Sequence, residues 1–188
     1  MIDSYKRELV SAISSINEKD IVSLAEKILE TNASGRTTFI AGNGGSASTA
    51  SHWQCDCAKG TLTDLCSEKR LRVLSLSDNI ALMTAYANDF SYDEIFAQQL
   101  RTFSSKGDML IAITGSGNSK NIIRAVDTAK EIGVYVFSLL GFDGGKALQK
   151  SDSHILINSR NYGIIEDMHL AIGHMVSQYI LENWKNLV

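Results

Sequence analysis

Three of the four histidines in this 188-residue chain sit close to carboxylates at spacings that can do chemistry. His52 is followed four positions later by Asp56, so on a helix the two side chains share a face. Nearer the C-terminus, Glu166, Asp167, His169 and His174 crowd into nine residues. On one helix Glu166 and His174 differ by about 80° in rotation. If the two segments meet, two imidazoles and two carboxylates converge. Such a set suits proton transfer by Asp56, Glu166 and His174. It suits equally a zinc site with N and O ligands from His52, Asp56, Glu166 and His174. Plainer readings stand beside these: His52–Asp56 as a solvated pair, and His154 as an exposed residue beside a strand.

Twice an apolar run ends in a short Gly/Ser loop and then turns helical, at residues 37–48 (TTFIAGNGGSAS) and 108–121 (DMLIAITGSGNSKN). Such loops expose backbone N–H groups and hydroxyls at a helix N-terminus, where partial positive charge suits a phosphate. Neither loop ends in the GK[ST] of a nucleotide-hydrolysing loop, and neither fits GxGxxG with a following ribose carboxylate. The pair therefore points to a small phosphorylated metabolite and to no nucleotide cofactor. Ser116, Asn118 and Ser119 also read as a simple helix cap, and Asn88-Asp89 as a helix end.

The elements that position these residues follow from periodicity. Residues 4–32 predict one or two helices, with Leu9, Ile13, Ile16, Ile21, Leu24, Ile28 and Leu29 at helical spacing. Strands are expected at 37–41, 70–75, 109–114, 135–140 and 154–157. Helices are expected at 46–58, 79–87, 92–103, 119–131 and 164–185, with a short one after GFDGG. The nearly all-apolar run 109–114 is typical of a strand buried on both faces of a parallel sheet. Strands alternating with helices predict a doubly wound α/β fold. Ligands of such sheets bind beyond the carboxyl ends of the strands, where both Gly/Ser loops fall. The broad apolar face of the leading helices predicts an oligomer interface.

Length predicts one domain, residues 1–188, with a helical arm at 1–34 and an α/β core at 35–188. A formal net charge of −3 without a basic cluster argues against a nucleic-acid partner. No apolar run reaches the roughly 20 residues of a membrane span. Cys55, Cys57 and Cys66 lack CxxC spacing and read as reduced thiols.

In order, the segments GNGGSASTASHWQCD, SLSDNIALMTAYANDFSYDEIF, GDMLIAITGSGNSKNIIRA, LLGFDGGKALQKSD and EDMHLAIGHMV resemble the phosphoheptose (sedoheptulose-7-phosphate) isomerases, a branch of the sugar-isomerase (SIS) fold. The resemblance spans about residues 35–180 and implies a five-stranded parallel sheet. It also implies a homotetramer with active sites at subunit interfaces, and a cytoplasmic role in making heptose precursors of surface polysaccharide. Asn43, Gly44, Gly45 and Ser46 fall on sugar-phosphate contacts, and Thr114, Gly115, Ser116 and Ser119 on the phosphate loop. Asn88 and Asp89 fall where the family contacts the sugar, often from a neighbouring subunit. His174 matches the catalytic histidine, and His52 a histidine that binds zinc in some members.

The chain departs from this pattern at several positions. Asp56 stands where the family has its catalytic glutamate, and Glu166 where it has glutamine. The second loop reads TGSGNS instead of STSGNS, so Gly115 offers no hydroxyl. AKGTLTD replaces the usual GRF or GRY. A shorter Asp56 leaves its carboxylate about 1.5 Å back, and a displacement near 1 Å can cost about 10²-fold in rate. Glu166 adds a compensating carboxylate and favours a bound cation. The implied activity is interconversion of sedoheptulose 7-phosphate and an aldoheptose 7-phosphate through an enediolate, in a zinc-supported variant. The alternatives are a non-catalytic SIS protein that binds a partner or a phosphosugar, as in replication-initiator-associating relatives, and an isomerase of another sugar phosphate. The partner-binding relatives lose the acid and the last histidine, both of which this chain keeps.

Overall fold

Five parallel strands form one sheet in the order β2-β1-β3-β4-β5. The computed structural model describes residues 2–62, 64–66 and 70–183. Its strands are β1 (Thr38–Gly42), β2 (Val73–Ser75), β3 (Met109–Thr114), β4 (Tyr135–Leu140) and β5 (Ser153–Leu156). The helices are α1 (Ile2–Ser14), α2 (Glu18–Ala33), α3 (Gly45–Cys55), α4 (Ile80–Asp89), α5 (Ala97–Phe103), α6 (Lys120–Ile132), α7 (Gly145–Lys150) and α8 (Tyr162–Asn183). The doubly wound, five-stranded fold expected from the sequence is the one observed. Residues 184 and 185, expected in the last helix, and Thr63 of AKGTLTD lie outside the described residues.

Strand alternation sorts the core into two layers. Ile40, Met109, Ile111, Ile113, Phe137 and Leu139 face one way, onto Leu24, Ile28, Trp53, Met168 and Ile172 of α2, α3 and α8. Phe39, Ala41, Leu110, Ala112 and Val136 face the other, onto Phe96, Leu100, Ile122 and Val126 of the α5–α6 side. Every residue of β3 is buried, which explains its unbroken apolar run.

Local chemistry sets the boundaries. The expected single helix or pair over 4–32 is a pair, because Asn17 caps α2 by accepting from Lys19 N at 3.0 Å. The helix expected at 92–103 divides into a 3-10 turn (Tyr92–Glu94) and α5. The one expected at 46–58 runs as α-helix only to Cys55 and continues as a π-helical turn from Asp56 to Gly60. Gly133 ends α6 at φ +88, donating to Ala129 O and Lys130 O.

The two leading helices use their apolar residues differently from one another. Ile21, Leu24, Ala25 and Ile28 of α2 are spent inside the chain. On α1, Ile2, Val10 and Ile13 stay exposed, while Tyr5 and Glu8 tie it down: Tyr5 Oη donates to Asp167 Oδ2 at 2.6 Å, and Ser159 Oγ to Glu8 Oε1 at 2.7 Å. The helix with no buried residue is α4.

Candidate active site

The strand order places a topological switch between β1 and β3: the chain leaves β1 for β2 on one side, then returns past it to β3 on the other. The loops after these two strands therefore diverge, opening the crevice in which open α/β sheets bind ligands. Both Gly/Ser loops lie there. Between them is a cavity of ≈ 160 Å³ lined by Asn43, Ser46, Ile113, Thr114, Gly115, Ser116, Ser119, Tyr162 and Glu166. The N-cap residues of α3 and α6, Gly44 and Ser119, make no side-chain cap bond, although Ile122 N of α6 donates to Asn121 Oδ1 at 3.0 Å.

Asn43 is held by its neighbours. It exchanges two amide hydrogen bonds with buried Asn121, at 2.9 and 2.7 Å, and its Oδ1 also accepts from Tyr92 Oη at 3.0 Å. Gly44 and Gly45 form the exposed start of α3. Glu166, in the first turns of α8, lies directly over it: a Cβ built on Gly45 would stand 2.6 Å from Glu166 Oε2.

From this point α3 and α8 pack side by side, and a second cluster forms where His52 meets His174. Trp53 sets the approach. Its indole fills the space beside Gly173, where a Cβ would lie 1.9 Å from Nε1, and Nε1 donates to His169 O at 3.2 Å. The neighbouring residues His52 and His174 are thereby brought together, with Nε2 atoms 3.2 Å apart. Asp56 Oδ2 lies 3.5 Å from each of these nitrogens. That oxygen is buried and has no hydrogen-bond partner. Asp56 also opens the π-helical turn, a local rewinding frequent at functional sites.

Three of the four residues expected to hold a metal thus converge: His52, Asp56 and His174 offer ligand atoms within 4.8 Å of one another. Three ligand atoms about 2.1 Å from a tetrahedral zinc stand roughly 3.4 Å apart, so the spacing fits. The partnerless Asp56 oxygen fits as well. Glu166 corrects the expectation: it is no fourth member, because its place near the start of α8 keeps its carboxylate at the phosphate-loop cavity. Glu166 and His174 are about 12 Å apart along the helix axis. Nor do the two helices bring the histidines to the loops themselves.

His169 is structural. It is buried under β4, with Nε2 3.4 Å from Leu140 O and no partner on Nδ1, and burial pushes its pKa down to about 4. His154 is exposed. Cys57 is buried, which pushes its thiol up to about 12 and leaves it unreactive. Asn88 and Asp89 are exposed at the end of α4, bonded to each other at 2.9 Å, and do not line the cavity. Sequence reasoning missed Tyr162, Asn121 and the Trp53–Gly173 contact. The last had a signal: a large and a null side chain, each adjacent to a candidate histidine.

A phosphate-sized crevice at a switch point, joined by two parallel helices to an imidazole–carboxylate cluster, is the layout of a sugar-phosphate α/β protein. The SIS domain model matches residues 4–141. A phosphoheptose isomerase from Helicobacter pylori (strain Shi470) is 37% identical over 183 residues, covering 97% of this chain and 93% of that protein. A probable phosphoheptose isomerase from Thermoplasma acidophilum is 33% identical, covering 96% and 97%. The solved phosphoheptose isomerase of Neisseria gonorrhoeae superposes with a TM-score of 0.87 at 28% identity, covering 95% of this chain and 96% of that one. The chain belongs to the phosphoheptose isomerase family of SIS-domain proteins.

Proposed function

We propose that this protein is a ketose–aldose isomerase of heptose 7-phosphates, converting sedoheptulose 7-phosphate to the aldoheptose 7-phosphate. One observation carries the reading beyond the family: the Asp56–His52–His174 cluster lies about 12 Å along α8 from the phosphate-loop cavity. A seven-carbon sugar phosphate bears its phosphate and its reacting carbons at opposite ends. Anchored by its phosphate between the loops, it extends along α8 with C1 and C2 toward the histidines.

In this reading Ser46, Thr114, Ser116 and Ser119 hydroxyls and the N–H groups of Gly44, Gly45 and Gly115 hold the phosphate. Asn43 and Glu166 bond sugar hydroxyls. The partnerless carboxylate of Asp56 takes the C1 proton, and His174 manages the proton on the adjacent oxygens, so that the enediolate forms and is reprotonated at C2. Alternatively, His52, Asp56 and His174 would together hold a zinc ion, which would supply Lewis-acid stabilisation of carbonyl and enediolate oxygens in place of proton transfer by these ligands. The partner-binding alternative is disfavoured by the convergence of Asp56 and His174, which a protein without catalysis has no reason to keep in contact.

Residues 1–188 act as one domain in this reading, in the cytoplasm, as a homotetramer in which Asn88 and Asp89 reach the sugar of a neighbouring copy. The deciding experiment is a coupled assay on sedoheptulose 7-phosphate. His174→Ala and Asp56→Asn should each lower kcat at least about 100-fold, the usual contribution of a positioned acid or base. Full turnover in His174→Ala, or none in the wild type with and without added Zn²⁺, overturns the reading.

A further inference from the structure

Tyr162 has no role in the reading above, yet it forms a wall of the phosphate-loop cavity. Its ring stands over Gly115: a Cβ there would lie 3.2 Å from Tyr162 Cε1 and 3.3 Å from Cδ1. The backbone at Gly115 does not require glycine, since it is absent from the positive-φ residues. A side chain at 115 would instead press on the tyrosine ring, which would have to give by a few tenths of an ångström. The ring is held in turn by an edge-to-face contact with Phe142, with centroids 4.8 Å apart and planes at 61°. Phe142 is fixed by a hydrogen bond from its N–H to Ser159 O at 3.1 Å, at a backbone φ of +52.

The phenol is also uncommitted. Tyr162 is 54% exposed, and among the described residues its hydroxyl makes no hydrogen bond. On its far side a second opening is lined by Ser116, Asn118, Phe142, Asp143, Arg160 and Tyr162, so the ring divides the two. A tyrosine braced by one aromatic and left free at its polar tip, beside two serine hydroxyls, is placed to donate to an anionic oxygen.

We propose that Tyr162 is a substrate-binding residue, its phenol supplying the phosphoryl contact that position 115 cannot make. This rests on the reading of the cavity as a sugar-phosphate site. Position 115 and position 162 are then exchangeable sources of one donor: a hydroxyl at 115 with a small residue at 162, or glycine at 115 with tyrosine at 162.

The test measures dissociation constants of the full chain for inorganic phosphate, by ³¹P NMR titration, and for sedoheptulose 7-phosphate, by calorimetry. Tyr162→Phe keeps the ring and removes only the hydroxyl. It should weaken both ligands about tenfold, the low end for a hydrogen bond to a charged group, and raise KM with kcat nearly unchanged. Gly115→Ser should weaken binding by pushing the ring aside, and Gly115→Ser with Tyr162→Ala should bind better than either single variant. Unchanged binding of both ligands in Tyr162→Phe overturns the proposal, as does a double variant no better than the product of its singles. Wild type that binds phosphate but neither binds nor converts sedoheptulose 7-phosphate overturns the heptose reading alone, and the phosphate arm still decides Tyr162. Wild type that binds neither ligand overturns both.

Discussion

At the scale of single residues, the chemistry concentrates on one oxygen. Asp56 Oδ2 is buried, unpaired, and 3.5 Å from two imidazole nitrogens. An unpaired buried carboxylate oxygen is costly unless a proton or cation answers it. If a cation does, protein purified without chelator should carry about one zinc per chain by elemental analysis, and His52→Ala should lose it, since three protein ligands are the minimum of a catalytic site. A second residue-scale consequence concerns His169. An unfolded histidine titrates near 6.5, whereas burial holds this one at about 4. Above pH 6.5 both states are neutral and the group contributes no pH dependence. As pH falls from 6.5 toward 4 the unfolded state takes up the proton first, and stability drops by up to roughly 3 kcal/mol. Denaturant melts from pH 7 to 4.5 should show this slope, and His169→Gln should flatten it.

At the scale of elements, the site depends on the parallel packing of α3 on α8. Trp53 against Gly173 is the contact that lets the helices close, and the two histidines inherit their spacing from it. Gly173→Ala forces the indole out of its place. It should destabilise the protein by about 1–3 kcal/mol, as overpacking does, and should cut turnover more than phosphate affinity, because the loops lie about 12 Å away along α8. A parallel loss of both would show that the two ends of α8 do not separate anchoring from chemistry. The histidine, carboxylate and loop residues are legible in the sequence one by one. Rotation about a helix places Glu166 near His174's face, but the rise of about 12 Å between them keeps it out of the cluster.

At the scale of the molecule, apolar surface is left over. The helix α4 buries none of its residues, Ile80 is 72% exposed and Phe90 74% exposed. Ile2, Val10 and Ile13 on α1 are exposed as well, and contiguous exposed apolar surface marks interaction sites. Sedimentation should therefore show a closed homo-oligomer. Ile80→Lys with Phe90→Lys should shift it toward smaller species and lower turnover through Asn88 and Asp89 beside them. Monomeric wild type would remove the shared-site part of the functional reading. Apolar periodicity on the leading helices does not by itself say what covers each face. In α2 it is the chain's own α8 and sheet.

The parallel α/β fold and the two Gly/Ser loops at its strand ends are legible in the sequence, because periodicity and loop chemistry are local. Tertiary structure alone decided which of the candidate residues meet. It joined His52, Asp56 and His174 through the Trp53–Gly173 contact, left Glu166 at the phosphate end, and set Tyr162 over Gly115. Each depends on helices distant in the chain approaching within a side chain's length, and no spacing along the sequence encodes that distance.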